Sequence, residues 1–194
     1  ITNPFFSGMI RIIEEEMQKE KYTLVLRHVE AYEDSVKVAL EIEKEKRIRG
    51  IIFLGGSFYH LEERLGKLKV PFVFTAIGIG MTEQTNNLLF SNVTVDDRIE
   101  SQKMTEYLLS LGHRNIAMIT EGSEDPSVAQ LRLDGFRMAY HDAGLKVNEK
   151  LIRFVDKNIE HYSMENGYQT TKRLLESGEK FTAIFAAADI WAIG

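Results

Sequence analysis

Short apolar runs recur along this chain, each followed by an amphipathic stretch of helical length, and that alternation admits few folds. A brief buried strand next to a helix that returns over it is the signature of repeated βα units around a parallel sheet. The first helix is expected over residues 5–19, where Phe6, Met9, Ile10, Ile13 and Met17 fall on one stripe. Asn3 is placed to cap it, and Pro4 suits its first position, where the missing N–H has no partner to lose. A strand is expected over 22–26 and a helix over 34–47. Gly50 then leads into a fully buried strand over 51–54 that ends at Gly55-Gly56. A helix near 61–67 and a strand over 72–75, after Pro71, continue the pattern.

Residues 78–91 show no period and hold the polar cluster Thr82-Glu83-Gln84-Thr85-Asn86-Asn87, so they are expected to form a loop before a short strand over 92–95. The alternation restarts after Asp96-Asp97, with helices over 98–111, 128–143 and 164–176 and strands over 116–119, 151–155 and 183–185. A restart of this kind predicts two lobes that meet near residue 96. Both ends are expected to be cut: a capping Asn-Pro so close to residue 1 implies an upstream strand, and Ile190 to Gly194 begins a helix with nowhere to go. Three strands are few for a self-sufficient second lobe.

With 194 residues, 44% of them hydrophobic and 27% charged, the chain has the composition of a folded globular protein. A net charge of −5 argues against the chain gripping a nucleic-acid backbone unaided, because phosphate binding needs a concentrated basic surface. The lysines and arginines are mixed with acids, as in Glu41-Ile42-Glu43-Lys44-Glu45-Lys46-Arg47, which reads as the solvated face of a helix. With no cysteine there is no disulfide and no thiolate metal site. No apolar run approaches the roughly 20 residues needed to span a bilayer.

The chemical motifs mostly fail their context tests. Gly78-Ile79-Gly80 resembles the start of a dinucleotide fingerprint, but Glu83 stands where the third glycine belongs and no helix begins there. There is no phosphate loop, nucleophile elbow or zinc-binding His-Glu-x-x-His, so neither catalysis nor a cofactor or metal is expected. His113, after a helix-ending Gly112, is placed to satisfy free carbonyls at a helix terminus.

Two charged residues survive this screening. Arg132 sits near the start of the helix that follows the strand at 116–119, and Asp189 follows the strand at 183–185. Both belong to the carboxyl edge of a sheet, where open α/β folds bind small ligands. A planar guanidinium suits bidentate recognition of hydroxyl pairs, carboxylates or base edges, although Arg132 could equally pair with Asp134 or an inter-lobe carboxylate. Asp189 could cap the helix that starts at Ile190, and capping leaves acceptor sites to spare. Phe5, Phe6 and Tyr162 supply flat rings at comparable helix starts. Such rings suit a sugar face or a heteroaromatic base, or they simply fill core. Since Phe5 and Phe6 are adjacent, one packs inward while the other is free to face a cleft.

With these residues in place, the chain resembles the effector-binding core of the LacI/GalR family of bacterial transcription regulators. The resemblance rests on the order and spacing of Asn3-Pro4-Phe5-Phe6, Gly50-Ile51-Ile52, Val70-Pro71, Val95-Asp96-Asp97, Gly112-His113-Arg114-x-Ile116-Ala117, Arg132-x-x-Gly135-Phe136, Gly167-Tyr168 and Asp189-x-x-Ala192-Ile193-Gly194. It implies an α/β, two-lobed, periplasmic-binding-protein-like fold with parallel sheets flanked by helices, incomplete at both ends. Its lobes would be residues 1–96 and 97–194. It further implies a small-molecule effector held between the lobes, a sugar before a purine. Phe5 and Phe6 would wall the site, Arg132 would donate to the effector, Tyr162 would stack on it, and Asp189 would accept from its hydroxyls or ring N–H. The same family implies a cytoplasmic homodimer whose interface includes the first helix, and operator DNA bound through a helix-turn-helix headpiece not present in this chain. A sugar-binding protein of a transport system is the alternative on the same architecture. Two positions depart from the family pattern: Ala188 stands where Asn is frequent before the aspartate, and Asp97 where Asn often follows Asp96.

Overall fold

The computed structural model describes residues 4–29, 33–56, 62–76, 90–122 and 128–194. Two compact units divide the chain, residues 1–75 with 85–93 and residues 76–84 with 94–194. The first holds helices α1 (Pro4–Lys19), α2 (Ser35–Lys46) and the single turn α3 (Glu62–Leu65), with strands β1 (Ile51–Leu54), β2 (Phe72–Thr75) and β3 (Phe90–Val93). Its sheet is parallel in the order β1-β2-β3, with Phe53 opposite Phe74 and Phe72 opposite Phe90. That register stacks Phe53 on Phe74 at 5.1 Å between centroids and Phe72 on Phe90 at 5.8 Å, a four-ring core on one sheet face. Asp34 is the N-cap of α2 and accepts from the N–H groups of Val36 and Lys37, while its second oxygen takes Arg64.

Several expectations for this unit are corrected. Among the described residues, 22–26 join no strand ladder, and Tyr22, Val25 and Leu26 remain exposed. A helix closes its hydrogen bonds within itself, whereas a strand exists only where a partner edge lies within reach, and apolar alternation cannot supply that edge. The strand expected to be buried throughout keeps only Phe53 inside, because side chains alternate across the sheet and Ile52 faces the open side. The strand expected over 92–95 is shifted to Phe90–Val93, since its register is set by Phe90 pairing with Phe72. The helix expected near 61–67 is one turn long. Asn3, Gly78-Ile79-Gly80 and most of the expected loop at 78–91 lie outside the described residues.

The second unit contains α4 (Asp97–Ser110), β4 (Ile116–Thr120), α5 (Val128–Asp142), β5 (Ile152–Phe154), α6 (Met164–Glu176), β6 (Ala183–Ala186) and α7 (Asp189–Ile193), with a 3-10 turn at Glu149–Leu151. Its parallel sheet runs β5-β4-β6, and every residue of the central β4 is buried. Asp96 caps α4 by accepting from the N–H groups of Arg98 and Ile99. At the far end Gly112, at φ 97°, donates to Leu109 O while His113 N–H reaches Leu108 O, a paired closure that needs a left-handed residue. The side chain that satisfies carbonyls there is Arg114, bonded to Leu109 O at 2.7 Å and His113 O at 2.9 Å. The ring of His113 instead bonds Thr182 Oγ1 at 2.9 Å, which corrects the role expected of it. The adjacent guanidinium, with more donors, takes the terminal carbonyls.

Helices α4 and α5 pack in direct backbone contact. A Cβ on Gly135 would lie 2.1 Å from Arg98 O and 2.9 Å from Gln102 N, so only glycine fits. Below them Phe136, Tyr140, Leu133, Leu109, Ile116 and Met118 form the core. The Tyr140 hydroxyl donates to Arg114 O at 3.0 Å and accepts from Ile116 N–H at 3.1 Å, fixing the entry to β4. A Cβ on Gly167 would likewise lie 2.3 Å from Trp191 O, which seats α7 against α6.

Candidate functional site

In each βα unit the strand ends and the next helix begins at one edge of the sheet, so residues distant in sequence arrive there together. At this edge of the second unit stand Asp97 at the start of α4, Glu121 just after β4 and Arg132 in the first half of α5. His161 and Tyr162 just before α6, and Asp189 opening α7, complete the set.

Arg132 spans three of these elements. Its Nε donates to Asp97 Oδ1 at 2.8 Å and its Nη1 to Ala187 O, after β6, at 2.8 Å. Its Nη2 has no acceptor among the described residues. Asp97 is only 5% exposed, so its carboxylate depends on this guanidinium for charge compensation. The pairing with Asp134 considered from sequence does not form; Asp134 accepts from Gln130 Nε2 at 2.7 Å, one turn away. Ser101 on α4 donates to Arg132 O and ties the backbone of α5 at the same point.

Asp189 is exposed, and no side-chain hydrogen bond holds it among the described residues. It is the first residue of α7, where the N-cap is Ala188 without a side-chain cap. The capping role considered from sequence is therefore absent: the helix starts one residue earlier than Ile190, placing the carboxylate on the first turn. There it is favoured by the helix's free N–H groups. Asp97, Arg132, Asp189 and Trp191 line one open concavity of about 850 Å³ that also runs along Ile184 and Phe185 of β6.

Beside them lies a second polar cluster. The Glu121 carboxylate accepts from His161 Nε2 and, at 3.2 Å, from the Tyr162 hydroxyl. Burial pushes this carboxyl up, but the hydrogen bond and charge of His161, then the Tyr162 hydroxyl and the charge of Arg132, outweigh it. Its pKa is thereby held below the ordinary glutamate value. Burial raises the Tyr162 phenol, and the Glu121 charge raises it further, so it remains a neutral donor. The Tyr162 ring lies flat on Trp191 at 5.2 Å and 6° between planes, and His161 stands edge-on to both rings. Trp191 is 2% exposed and donates Nε1–H to His161 O at 2.9 Å.

The structure thus brings Arg132 and Asp189 to one concavity and puts Tyr162 in the adjacent cluster. Phe5 and Phe6 belong to the first unit. Phe6 covers the end of β1, where a Cβ on Gly55 would fall 2.7 Å from its Cζ, while Phe5, edge-on to Phe6 at 5.2 Å, is 60% exposed. One ring packs inward and its neighbour outward, as adjacent helical positions require. Asp97, Glu121, His161 and Trp191 were missed from sequence as members of this edge. Glu121 carried a usable signal, because it directly follows a buried strand, as Asp189 nearly does. Among the described residues no group of three or more His, Cys, Asp or Glu is arranged to hold a metal ion, and no described helix is long and apolar enough to cross a membrane.

Comparison with known proteins places this geometry. Residues 1–194 match the family described as periplasmic binding proteins and sugar binding domain of LacI family. Across its whole length the chain is 30% identical over 197 residues to the HTH-type transcriptional regulator MalR of Clostridium butyricum. It is 31% identical over 196 residues to catabolite control protein A of Priestia megaterium. It spans about half of these relatives, 56% and 55% of their lengths. The crystal structure of a LacI-type regulator from Bacillus cereus subsp. cytotoxis superimposes with a TM-score of 0.78 at 27% identity, over 98% of this chain and 64% of that one.

Proposed function

The chain belongs to the family of periplasmic binding proteins and LacI-family sugar-binding domains, and on that premise we propose that it is the effector-binding core of a bacterial transcription regulator. Its two lobes divide near residue 96. The observation that carries the proposal is the convergence of Arg132 and Asp189 on one concavity. Among the described residues the guanidinium has an unspent Nη2 and the carboxylate accepts no side-chain hydrogen bond. A donor fork beside a free acceptor is the pairing that vicinal hydroxyls satisfy, since each hydroxyl both donates and accepts. A neutral sugar is therefore the favoured effector over a purine, with Tyr162 supplying apolar ring surface for its C–H faces; Phe5 and Phe6 are proposed as effector contacts on the family resemblance alone.

The regulator reading is preferred to a transport protein because the curated relatives matched over the full chain are transcription regulators. It includes a cytoplasmic homodimer and operator DNA held through a helix-turn-helix segment outside these 194 residues. The exposed apolar side chains of Ile12, Tyr22, Val25 and Leu26 support a partner surface on the first unit. An effector shifts operator affinity only by as much as it binds one lobe arrangement better than the other. Titration calorimetry against pentoses, hexoses, disaccharides and purine bases tests the site. Binding is expected for one neutral sugar and lost in Arg132→Ala and in Asp189→Ala. Wild-type affinity in both variants would remove the site.

A further inference from the structure

The strand end after β4 carries a carboxylate whose two oxygens are both spent on side chains of one other segment. Glu121 Oε2 takes His161 Nε2 and Oε1 takes the Tyr162 hydroxyl. Its side chain is 22% exposed, so these bonds form where water competes weakly. Three contacts hold Tyr162 in place. The hydroxyl is held by Glu121, one ring face by Trp191, and the backbone before it by the Trp191 Nε1–H bond to His161 O. The cluster does not float: Asn166, fully buried at the start of α6, donates to His161 O and Asp156 O and accepts from Asp156 N–H.

We propose that Glu121 is the positioning residue of the effector site, acting through Tyr162. By gripping the hydroxyl and His161 together it sets the tilt of the ring against Trp191, and so sets the surface that Tyr162 presents. The inference rests on the reading of Tyr162 as an effector contact. Its physical reason is entropic. A tyrosine ring turns freely about two torsions, and a ring already locked in its bound orientation loses less freedom when the effector arrives. Glu121 need not touch the effector, and its contribution is to preorganisation. The surrounding charges reinforce the grip, since Arg132 on α5 lowers the Glu121 carboxyl and Asp97 on α4 lies close enough to act on the Tyr162 phenol.

Trp191 is the only tryptophan of the chain and stacks on the ring in question, so its fluorescence reads the hold without any ligand. Glu121→Ala and Tyr162→Phe are each expected to red-shift Trp191 emission and raise its quenching by acrylamide. The double variant should go no further than Glu121→Ala alone, because Tyr162→Phe cuts a bond that Glu121→Ala has already removed. Glu121→Gln keeps an acceptor for the hydroxyl and is expected to restore most of the wild-type signal. For the sugar that binds wild type in the calorimetric panel, Glu121→Ala is expected to weaken affinity on the order of tenfold, and Glu121→Gln by much less. Unchanged emission in both Glu121→Ala and Tyr162→Phe overturns the proposal. Changed emission with unchanged sugar affinity in Glu121→Ala also overturns it, leaving Glu121 a structural residue. If no panel member binds the wild type, the site reading itself falls, and the emission of the variants alone decides whether Glu121 holds the ring.

Discussion

Among the described residues both sheets are three-stranded and parallel, but their strand orders differ, β1-β2-β3 against β5-β4-β6, and so does what furnishes their edges. In the first unit the strand end after β1 is glycine, roofed by Phe6, and its core is a set of stacked phenylalanines. In the second, the central strand is buried throughout and its edge carries Asp97, Glu121, Arg132, His161 and Asp189. The difference teaches where polar chemistry can be supported. Charged side chains at an edge need neighbours that neutralise and orient them, and the direct backbone packing of α4 on α5 brings Asp97 and Arg132 within 2.8 Å. The first unit's edge offers ring surface, and the second offers donors and acceptors.

The largest expected effect tests that packing. Gly135→Val drives a side chain into the backbone of α4, and neither helix can yield locally. A loss of about 3 kcal/mol or more is expected, seen as failure to fold or a collapse of the thermal transition. Next come the two cores. Phe74 and Phe136 are both fully buried, so Phe74→Ala and Phe136→Ala should each cost about 3–5 kcal/mol in urea unfolding. A clearly smaller cost for Phe74→Ala would show that the stacked rings of the first unit collapse into the gap.

Arg132→Ala separates structure from binding at the second edge. It strips Asp97 of its charge partner and should cost about 1–3 kcal/mol, less than a fully buried pair because the guanidinium is partly exposed. Adding Asp97→Asn should recover stability without recovering effector binding. Asp34→Ala in the first unit should cost about 1 kcal/mol, the usual value of an N-cap.

The smallest effect is a pH dependence shared by both units. Hydrogen bonds from the backbone of Lys37 and the charge of Arg64 hold Asp34 low, against the upward push of its partial burial, and Glu121 is also held below its ordinary value. For a carboxyl lowered by folding, the stabilisation is complete above its unfolded pKa and is lost as the pH falls through the folded one. Denaturant midpoints should therefore fall on acidification below the ordinary carboxylate range. Glu121→Gln should flatten the second unit's share of that fall, and an unaltered acid limb in this variant would show that the carboxylate is not stabilised in the fold.

Much of this was legible from sequence. Helices α4, α5 and α6 were expected within a residue or two of their observed bounds, because apolar period, Asp96 and Gly112 mark their limits locally. Strands β1 and β2 match their expected bounds, and β4, β5 and β6 fall within a residue of theirs, but two strand readings did not hold. Residues 22–26 pattern as a strand yet join no strand ladder among the described residues, and β3 begins at Phe90, where it pairs with Phe72 of β2. Arg132 and Asp189 were recognisable because the strand-to-helix grammar puts such positions at the sheet edge. Their partners were not, since Asp97 lies 35 residues before Arg132 and His161 lies 40 after Glu121.

What the amino-acid order determined by itself was therefore the succession of helices and strands, the parallel sheets and the edge where charged residues gather. Each depends on periodicity and caps within a turn or two of chain. Only the tertiary structure decided which strand edges are paired, that Arg132 answers Asp97 and not Asp134, and that Glu121, Tyr162 and Trp191 form one assembly. Those outcomes depend on how closely separate backbones approach, and the approach is set by glycines at 135 and 167 acting across helices.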